Sequence, residues 1–227
     1  MAVNRRQLVV LARWPAAGRC KRRLAASCGS AASAAAVQRA LTLHTLAAAR
    51  AGADRAGAEL WLAVDGIGPR ARRRWAQQLG GVAIGPQGGG SLGTRLQREW
   101  QRCFASGATE VVLIGSDLPQ LEPGDLLQAF DHLAQQPLVL GPAADGGYWL
   151  IGLNRAGFRR CGARLVAGIP WGSAQVLEQT RAAAASIDLP IALLRQQSDL
   201  DQRGDLAAWQ GRSARRSIRD ALRVHGR

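Results

Sequence analysis

The run Glu-Val-Val-Leu-Ile-Gly-Ser-Asp-Leu-Pro-Gln-Leu, residues 110–121, constrains the fold of this chain more than any other segment. Val111-Val112-Leu113-Ile114 offers no polar residue to either face of a pleat, so it reads as a strand buried on both sides. Such strands belong inside parallel sheets that helices cover on both faces. The run stops on Gly115-Ser116-Asp117 with Leu-Pro behind it, which puts a carboxylate at the carboxyl end of the strand. Open α/β sheets bind their ligands at that end. Ser-Asp-x-Pro is also ordinary turn chemistry. Taken alone, the segment leaves a structural turn and a ligand site both open.

The rest of the chain repeats the theme. Strands are expected over residues 7–12, 59–64, 82–84, 138–140, 148–151 and 191–194 in addition to 111–114. Helices are expected over 31–51, 69–79, 94–106, 123–135 and 173–185, with another opening at the end of the loop 13–24 and a last one over 202–210. Strands and helices alternate with short connections and no linker, the pattern of one α/β domain with a mostly parallel sheet. A length of 227 residues suits that reading. The expected division is a single domain over 1–210 and a basic C-terminal helix or tail over 211–227. Ile218, Ala221 and Leu222 give that tail one apolar edge, as in a docked surface helix.

Composition narrows the function classes. No apolar run approaches the roughly 18 residues of a membrane span, and the N-terminal apolar run ends at Arg13 without a cleavage-site pattern. The expected location is the cytoplasm. Cys20, Cys28, Cys103 and Cys161 are scattered without a C-x-x-C pair, which points to reduced thiols and away from a disulfide framework or zinc site. His44, His132 and His225 lie too far apart in the chain for a histidine metal site. A formal charge of +14 suits an anionic ligand. No nucleic-acid-binding module or continuous basic stripe accompanies it, so small phosphate esters fit better than nucleic acid.

One cation stands apart. Twenty-nine of the thirty basic residues are Arg, and Lys21 is the only lysine. It sits in Arg-Trp-Pro-Ala-Ala-Gly-Arg-Cys-Lys-Arg-Arg-Leu, residues 13–24, directly after the first strand. That segment lacks P-loop spacing. Pro15 and Gly18 nonetheless allow a tight backbone, and Lys21 and Arg23 place charge where a helix begins, the ingredients of a phosphate cradle. A solvated basic face is the plainer account. The glycine-rich loop Gly88–Gly93 permits close backbone approach to a ligand or simply a turn. Asp117, Asp145, Asp199 and Asp201 all fall at strand ends. Asp199 and Asp201 are two apart in extended chain and can face the same way, although Asp201 can equally cap the helix behind it. Carboxylates beside phosphate-seeking cations suggest a hard cation bridging protein and pyrophosphate.

These segments occur in a specific order. Leu11 to Leu24 comes first, then Leu92-Gly-Thr-Arg-Leu96, Ile114-Gly-Ser-Asp-Leu-Pro119 and Leu140-Gly-Pro-Ala-Ala-Asp-Gly-Gly-Tyr-Trp-Leu150, with Ile169-Pro-Trp171 and Asp199-Leu-Asp201 behind. The set resembles the DUF2064 family of GT-A-like transferases, called glycosyltransferases, often encoded beside radical-SAM proteins and in part associated with arsenosugar biosynthesis. It is similar as well to the 2-phospholactate and molybdenum-cofactor guanylyltransferases. The resemblance covers about residues 8–206. It implies a Rossmann-like three-layer sandwich in which Asp117, with Asp201 as second carboxylate, holds Mg2+ or Mn2+ against a nucleotide diphosphate. By the same resemblance Gly18, Lys21 and Arg23 hold phosphates, and Leu92, Gly93, Arg95 and Ser116 lie beside the nucleotide. Asp145, Gly146, Gly147, Tyr148 and Trp171 border the sugar or acceptor, with Asp145 as general base. Trp149 offers a further aromatic there. The family commonly carries Lys-Thr-Arg-Leu where this chain has Lys21-Arg22-Arg23-Leu24, and an acid where it has Ser91.

The implied activity is sugar transfer from a nucleotide-sugar to a small-molecule acceptor. Nucleotidyl transfer from a nucleoside triphosphate to a phosphorylated small molecule shares the same parts. Ser91 keeps open a nucleotide-binding protein without catalysis.

Overall fold

Strands and helices alternate through the whole of the computed structural model, which describes residues 4–162, 164–198 and 200. β1 (Arg6–Arg13), α1 (Arg22–Cys28), α2 (Ala31–Ala56), β2 (Ala58–Asp65), α3 (Pro69–Gln78), β3 (Ala83–Pro86) and α4 (Leu92–Ala105) form the first half. β4 (Glu110–Gly115), α5 (Pro123–Leu133), β5 (Leu138–Pro142), β6 (Tyr148–Asn154), α6 (Arg155–Cys161), α7 (Val176–Ala185) and β7 (Ile191–Leu193) complete it. Every strand expected from the sequence is present. Helix α6 was not expected, because seven residues holding three arginines show no helical period; Asn154 starts it by accepting a hydrogen bond from Gly157 N–H. Helix α2 runs on to Ala56, past Gly52. That glycine is where α2 and α5 touch, and a Cβ there would stand 2.7 Å from Leu126 Cδ1. The chain leaves the helix only at Gly57, whose φ of 64° suits a glycine cap.

The seven strands lie in the order β3-β2-β1-β4-β6-β5-β7. β1 pairs in parallel with β2 and with β4, β2 with β3, and β5 with β7. Only β6 runs against its neighbours, β4 and β5. The chain therefore winds outward through β2 and β3, then returns to lay β4 on the other side of β1. That reversal is a topological switch point.

Successive side chains feed opposite cores. Leu8, Val10 and Ala12 of β1 join Val112 and Ile114 of β4 under α2, α3 and α5. Val9, Val111 and Leu113 point the other way, into a core built with Leu96, Trp100 and Phe104 of α4 and Ala184 of α7. Val111 through Ile114 are at most 1% exposed, as a strand covered on both faces requires. Each such side chain contributes about 1.5–3 kcal/mol of burial. A smaller cluster of Leu24, Ala34, Val37, Leu41 and Leu200 fastens α1 to α2. It fixes the start of α1 over the switch point. Among the described residues no helix is long and apolar enough to cross a membrane. The expected tail over 211–227 and helix over 202–210 lie outside the described residues.

Candidate functional site

A cavity of about 580 Å3 opens over the carboxyl ends of β1, β2 and β4 and the beginning of β6. Its size suits a nucleotide-sized ligand. Its centre is Asp117, in the turn that follows β4, and the geometry there explains why the strand stops where it does. Lys21 Nζ lies 2.9 Å from Asp117 Oδ2 and also donates to the carbonyl of Leu200. The Lys21 side chain is only 2% exposed, whereas that of Asp117 is 37% exposed. The ammonium is thus no part of a solvated face. Lys21 holds left-handed backbone angles, φ 46° and ψ 48°, at the cap of α1. Such a conformation costs a non-glycine residue about 1–2 kcal/mol, and it is what turns the side chain inward beneath the cavity.

The other side of Asp117 is held by α2. Gln38 Nε2 donates to Asp117 Oδ1 at 2.7 Å and to Ser116 Oγ at 3.3 Å. Thr45 Oγ1 donates to the Ser116 carbonyl at 3.1 Å, and Thr42 lies between them on the same face. Gln38, Thr42 and Thr45 are at most 3% exposed. These residues were not anticipated. The signal was present, since three polar residues at helical spacing interrupt an otherwise apolar face.

Toward β2 and β3 the cavity is lined by a second charged set. Arg95 donates to Asp65 Oδ2 at 2.9 Å and to Gln87 Oε1 at 3.1 Å, and Arg13 approaches Asp65 at 3.8 Å. Gln87 is buried and donates to the carbonyls of Ala12 and Ala63, tying the ends of β1 and β2 together. Arg98 donates to the carbonyls of Gln87 and Gly89 and so shapes the glycine-rich loop. Asp65 and Gln87 are further residues that sequence reasoning passed over, although Asp65 ends its strand just as Asp117 follows β4.

Past β4 the lining changes character. Tyr148 and Trp171 meet edge to face, their centroids 6.1 Å apart at 84°. The Tyr148 hydroxyl is buried beside Thr180 of α7, and burial raises its pKa well above the ordinary phenol value. The residue therefore offers its ring to the cavity and keeps its polar end inside. Trp149 is buried at the cavity lining with its indole N–H donating to the Arg195 carbonyl. Asp145 is exposed, and its Oδ1 accepts from Gly147 N–H at 2.9 Å. Gly146, with φ 86°, could not carry a Cβ, which would fall 2.1 Å from the Ala174 carbonyl oxygen.

Of the residues singled out from sequence, Lys21, Arg23, Leu92, Arg95, Ser116, Asp117, Asp145, Gly147, Tyr148 and Trp171 all line this one cavity. Gly18 lies exposed in the preceding turn. Gly93 packs away from the cavity, where a Cβ would meet the Val166 carbonyl oxygen at 2.5 Å and Trp171 at 2.9 Å. Ser91 caps α4 by accepting from Thr94 N–H and is absent from the lining. Asp199 and Asp201 lie outside the described residues. Cys20, Cys103 and Cys161 are free thiols, as expected.

Could the site hold a divalent cation? Among the described residues no three of His, Cys, Asp and Glu gather in one place. Asp117 and Asp65 each present a partly exposed carboxylate among the cations that line the cavity. That arrangement fits a Mg2+-like ion held by one or two carboxylates and completed by ligand phosphates and water, not a cage built by the protein.

A family model described as "Uncharacterized protein conserved in bacteria (DUF2064)" matches residues 43–173. The chain belongs to the DUF2064 family. The matched stretch carries Asp117, Asp145, Tyr148 and Trp171 of this DUF2064 chain and begins after Lys21. No curated protein matches it. Among solved structures, a Desulfovibrio desulfuricans G20 protein assigned as a nucleotide-diphospho-sugar transferase is similar with a TM-score of 0.80 and 26% identity, over 97% of each chain. CMP:2-keto-3-deoxy-manno-octonic acid synthetase, solved with CTP, is similar at 0.54 and 13% identity over 90% of this chain and 96% of that one. Rv0371c from Mycobacterium tuberculosis H37Rv, solved with manganese, is similar at 0.50 and 20% identity over 91% and 98%. The DUF2064 chain thus has the α/β GT-A-like fold that its motifs implied.

Proposed function

We propose that this protein is a divalent-metal-dependent transferase that moves a sugar from a nucleotide-sugar to a small-molecule acceptor. The observation that carries this reading is one cavity at the switch point, with Arg13, Lys21, Arg22, Arg23 and Arg95 around Asp117 on one side and Asp145, Tyr148 and Trp171 on the other. The cations suit a diphosphate; the aromatic side suits a sugar and its acceptor. The neighbour assigned as a nucleotide-diphospho-sugar transferase supports the donor class. The manganese-bound neighbour lends support to Mg2+ or Mn2+ as cofactor.

Asp117, together with Asp201, would hold the cation, which when bound neutralises charge on the departing nucleoside diphosphate. Lys21 reaches Asp117 from below and holds one carboxylate oxygen; Gln38 fixes the other. Arg22, Arg23 and Arg95 bind and orient the phosphates. Asp145 takes the proton of the acceptor hydroxyl as it attacks the anomeric carbon, its free Oδ2 turned from the Gly147 N–H that positions Oδ1. Ser91 works as a helix cap outside the cavity lining, which supports an active site unaltered by its difference from the family pattern.

The concentration of cations around Asp117 also suits a triphosphate, so nucleotidyl transfer to a phosphorylated small molecule is the second reading. The two reactions release different products. Incubating the protein and Mn2+ with nucleotide-sugars or nucleoside triphosphates, plus small hydroxyl acceptors, should release a nucleoside diphosphate from a sugar donor. Pyrophosphate from a triphosphate, with no diphosphate from any sugar donor, would establish the second reading and reject the first.

A further inference from the structure

The cavity is electrically divided along the sheet. On the side of β1, β2 and β3 its walls carry five cations against Asp65 and Asp117, a formal charge of +3. On the β6 and β5 side no described lining residue is cationic, and Asp145 is the single charge. Three features make that second side hostile to anions. The rings of Tyr148 and Trp171 line it, and aromatic faces favour C–H groups or cations over anions. The phenol proton that could have donated to an anion is turned inward beside Thr180. The start of α7, which would otherwise attract negative charge, is already engaged. Leu177 N–H donates to the Gly146 carbonyl at 2.9 Å, and Glu178 sits in the first turn.

The geometry points to a substrate group beyond the diphosphate that is neutral and hydroxyl-bearing, carrying neither carboxylate nor phosphate. This rests on the proposed nucleotide-sugar reading and narrows it. An uncharged sugar ring can stack on Tyr148 and Trp171 while a hydroxyl meets Asp145. A uronate or phosphosugar in the same place faces the like charge of Asp145, with no described lining cation to compensate.

The test uses the full chain with Mn2+ and measures binding, not turnover. Nucleoside diphosphates of the five common bases are titrated first to find the base. Two nucleotide-sugars on that base then follow, a neutral hexose and its uronate (UDP-glucose with UDP-glucuronate, or the corresponding pair). The hexose should bind at least tenfold more tightly than the uronate. Ser173→Arg, which adds a cation at an exposed position of the neutral side, should abolish or reverse that preference and leave affinity for the bare diphosphate unchanged. Equal or tighter binding of the uronate by the unaltered protein overturns the inference while leaving the nucleotide reading standing. Absence of binding by every nucleoside diphosphate overturns the nucleotide reading itself, and this inference with it.

Discussion

The two sides of the cavity are held by different forces. Around Asp117 the parts are fixed by side chains from distant segments: Lys21, Gln38, Ser116 and Asp117 form one network, and Arg95, Asp65 and Gln87 another. Around Asp145 the backbone does the fixing. Ala143 N–H bonds the Gly147 carbonyl, Gly146 N–H bonds the Ala143 carbonyl, Ala144 N–H reaches Gln197, and Gly146 fits against Ala174 with no space for a side chain. A charge network can exchange partners when a phosphate or cation arrives, because ammonium and guanidinium groups trade one oxygen for another. A loop clamped by backbone bonds and van der Waals contact keeps its shape. On the proposed function, the polar side would respond to a ligand and the aromatic side would act as a mould.

Substitutions at the two sides should therefore fail differently. The largest effect belongs to Asp117→Asn. It should weaken cation-dependent nucleotide binding at least a hundredfold, about 2.7 kcal/mol, and leave the Lys21 ammonium buried without its countercharge. Removing one partner of a buried pair is strongly destabilising, and because Asp117 is 37% exposed the expected loss is about 2 kcal/mol. Adding Lys21→Met should recover much of that stability and none of the binding, as chemical denaturation and nucleotide titration would reveal. If the double variant is no more stable than Asp117→Asn alone, the pair does not hold this side together.

Gly146→Ala attacks the mould. Its Cβ would meet the Ala174 carbonyl oxygen at 2.1 Å from a backbone of φ 86°, so the loop must move, at a cost of about 1–3 kcal/mol. Nucleoside diphosphate affinity should stay within a factor of three while sugar transfer collapses. Equal losses of both would mean that the two sides are a single mechanical unit.

The smallest effect is that of pH. Burial, offset in part by the Pro119 backbone, lowers the pKa of His44, which stands on α2 behind the Asp117 turn. Above about pH 6.5 the imidazole is neutral whether the chain is folded or not. Below it the unfolded chain takes up the proton first, so stability falls by at most about 1.4 kcal/mol per pH unit until the lowered folded pKa is reached. Hydrogen-exchange protection factors, which divide out the slower intrinsic exchange in acid, should accordingly fall at residues 116–121 on acidification before they fall at 143–147. A simultaneous fall in both loops, or a slope unchanged in His44→Gln, would remove His44 as the cause.

Much of this was legible in the residues. Periodicity alone marks β4 as doubly covered, because Val111 to Ile114 leave no face for water, and the alternation of such runs with helices determines an α/β sandwich. Even the reversed direction of β6 was readable: the loop from Pro142 to Tyr148 is too short for the crossover that a parallel pair requires. Two of the carboxylates picked out at strand ends, Asp117 and Asp145, and the solitary Lys21 line one and the same cavity. What the sequence could not show is which groups meet. Lys21 and Asp117 are brought together only by β1 and β4 lying side by side and by the inward turn of the α1 cap. Gln38 reaches Asp117 only because α2 packs over that same strand pair. Backbone periodicity is a local property, set by residues within a few positions of each other. The partner of a charge is set by sheet order and helix packing, and those emerge only when the whole chain has buried its two cores.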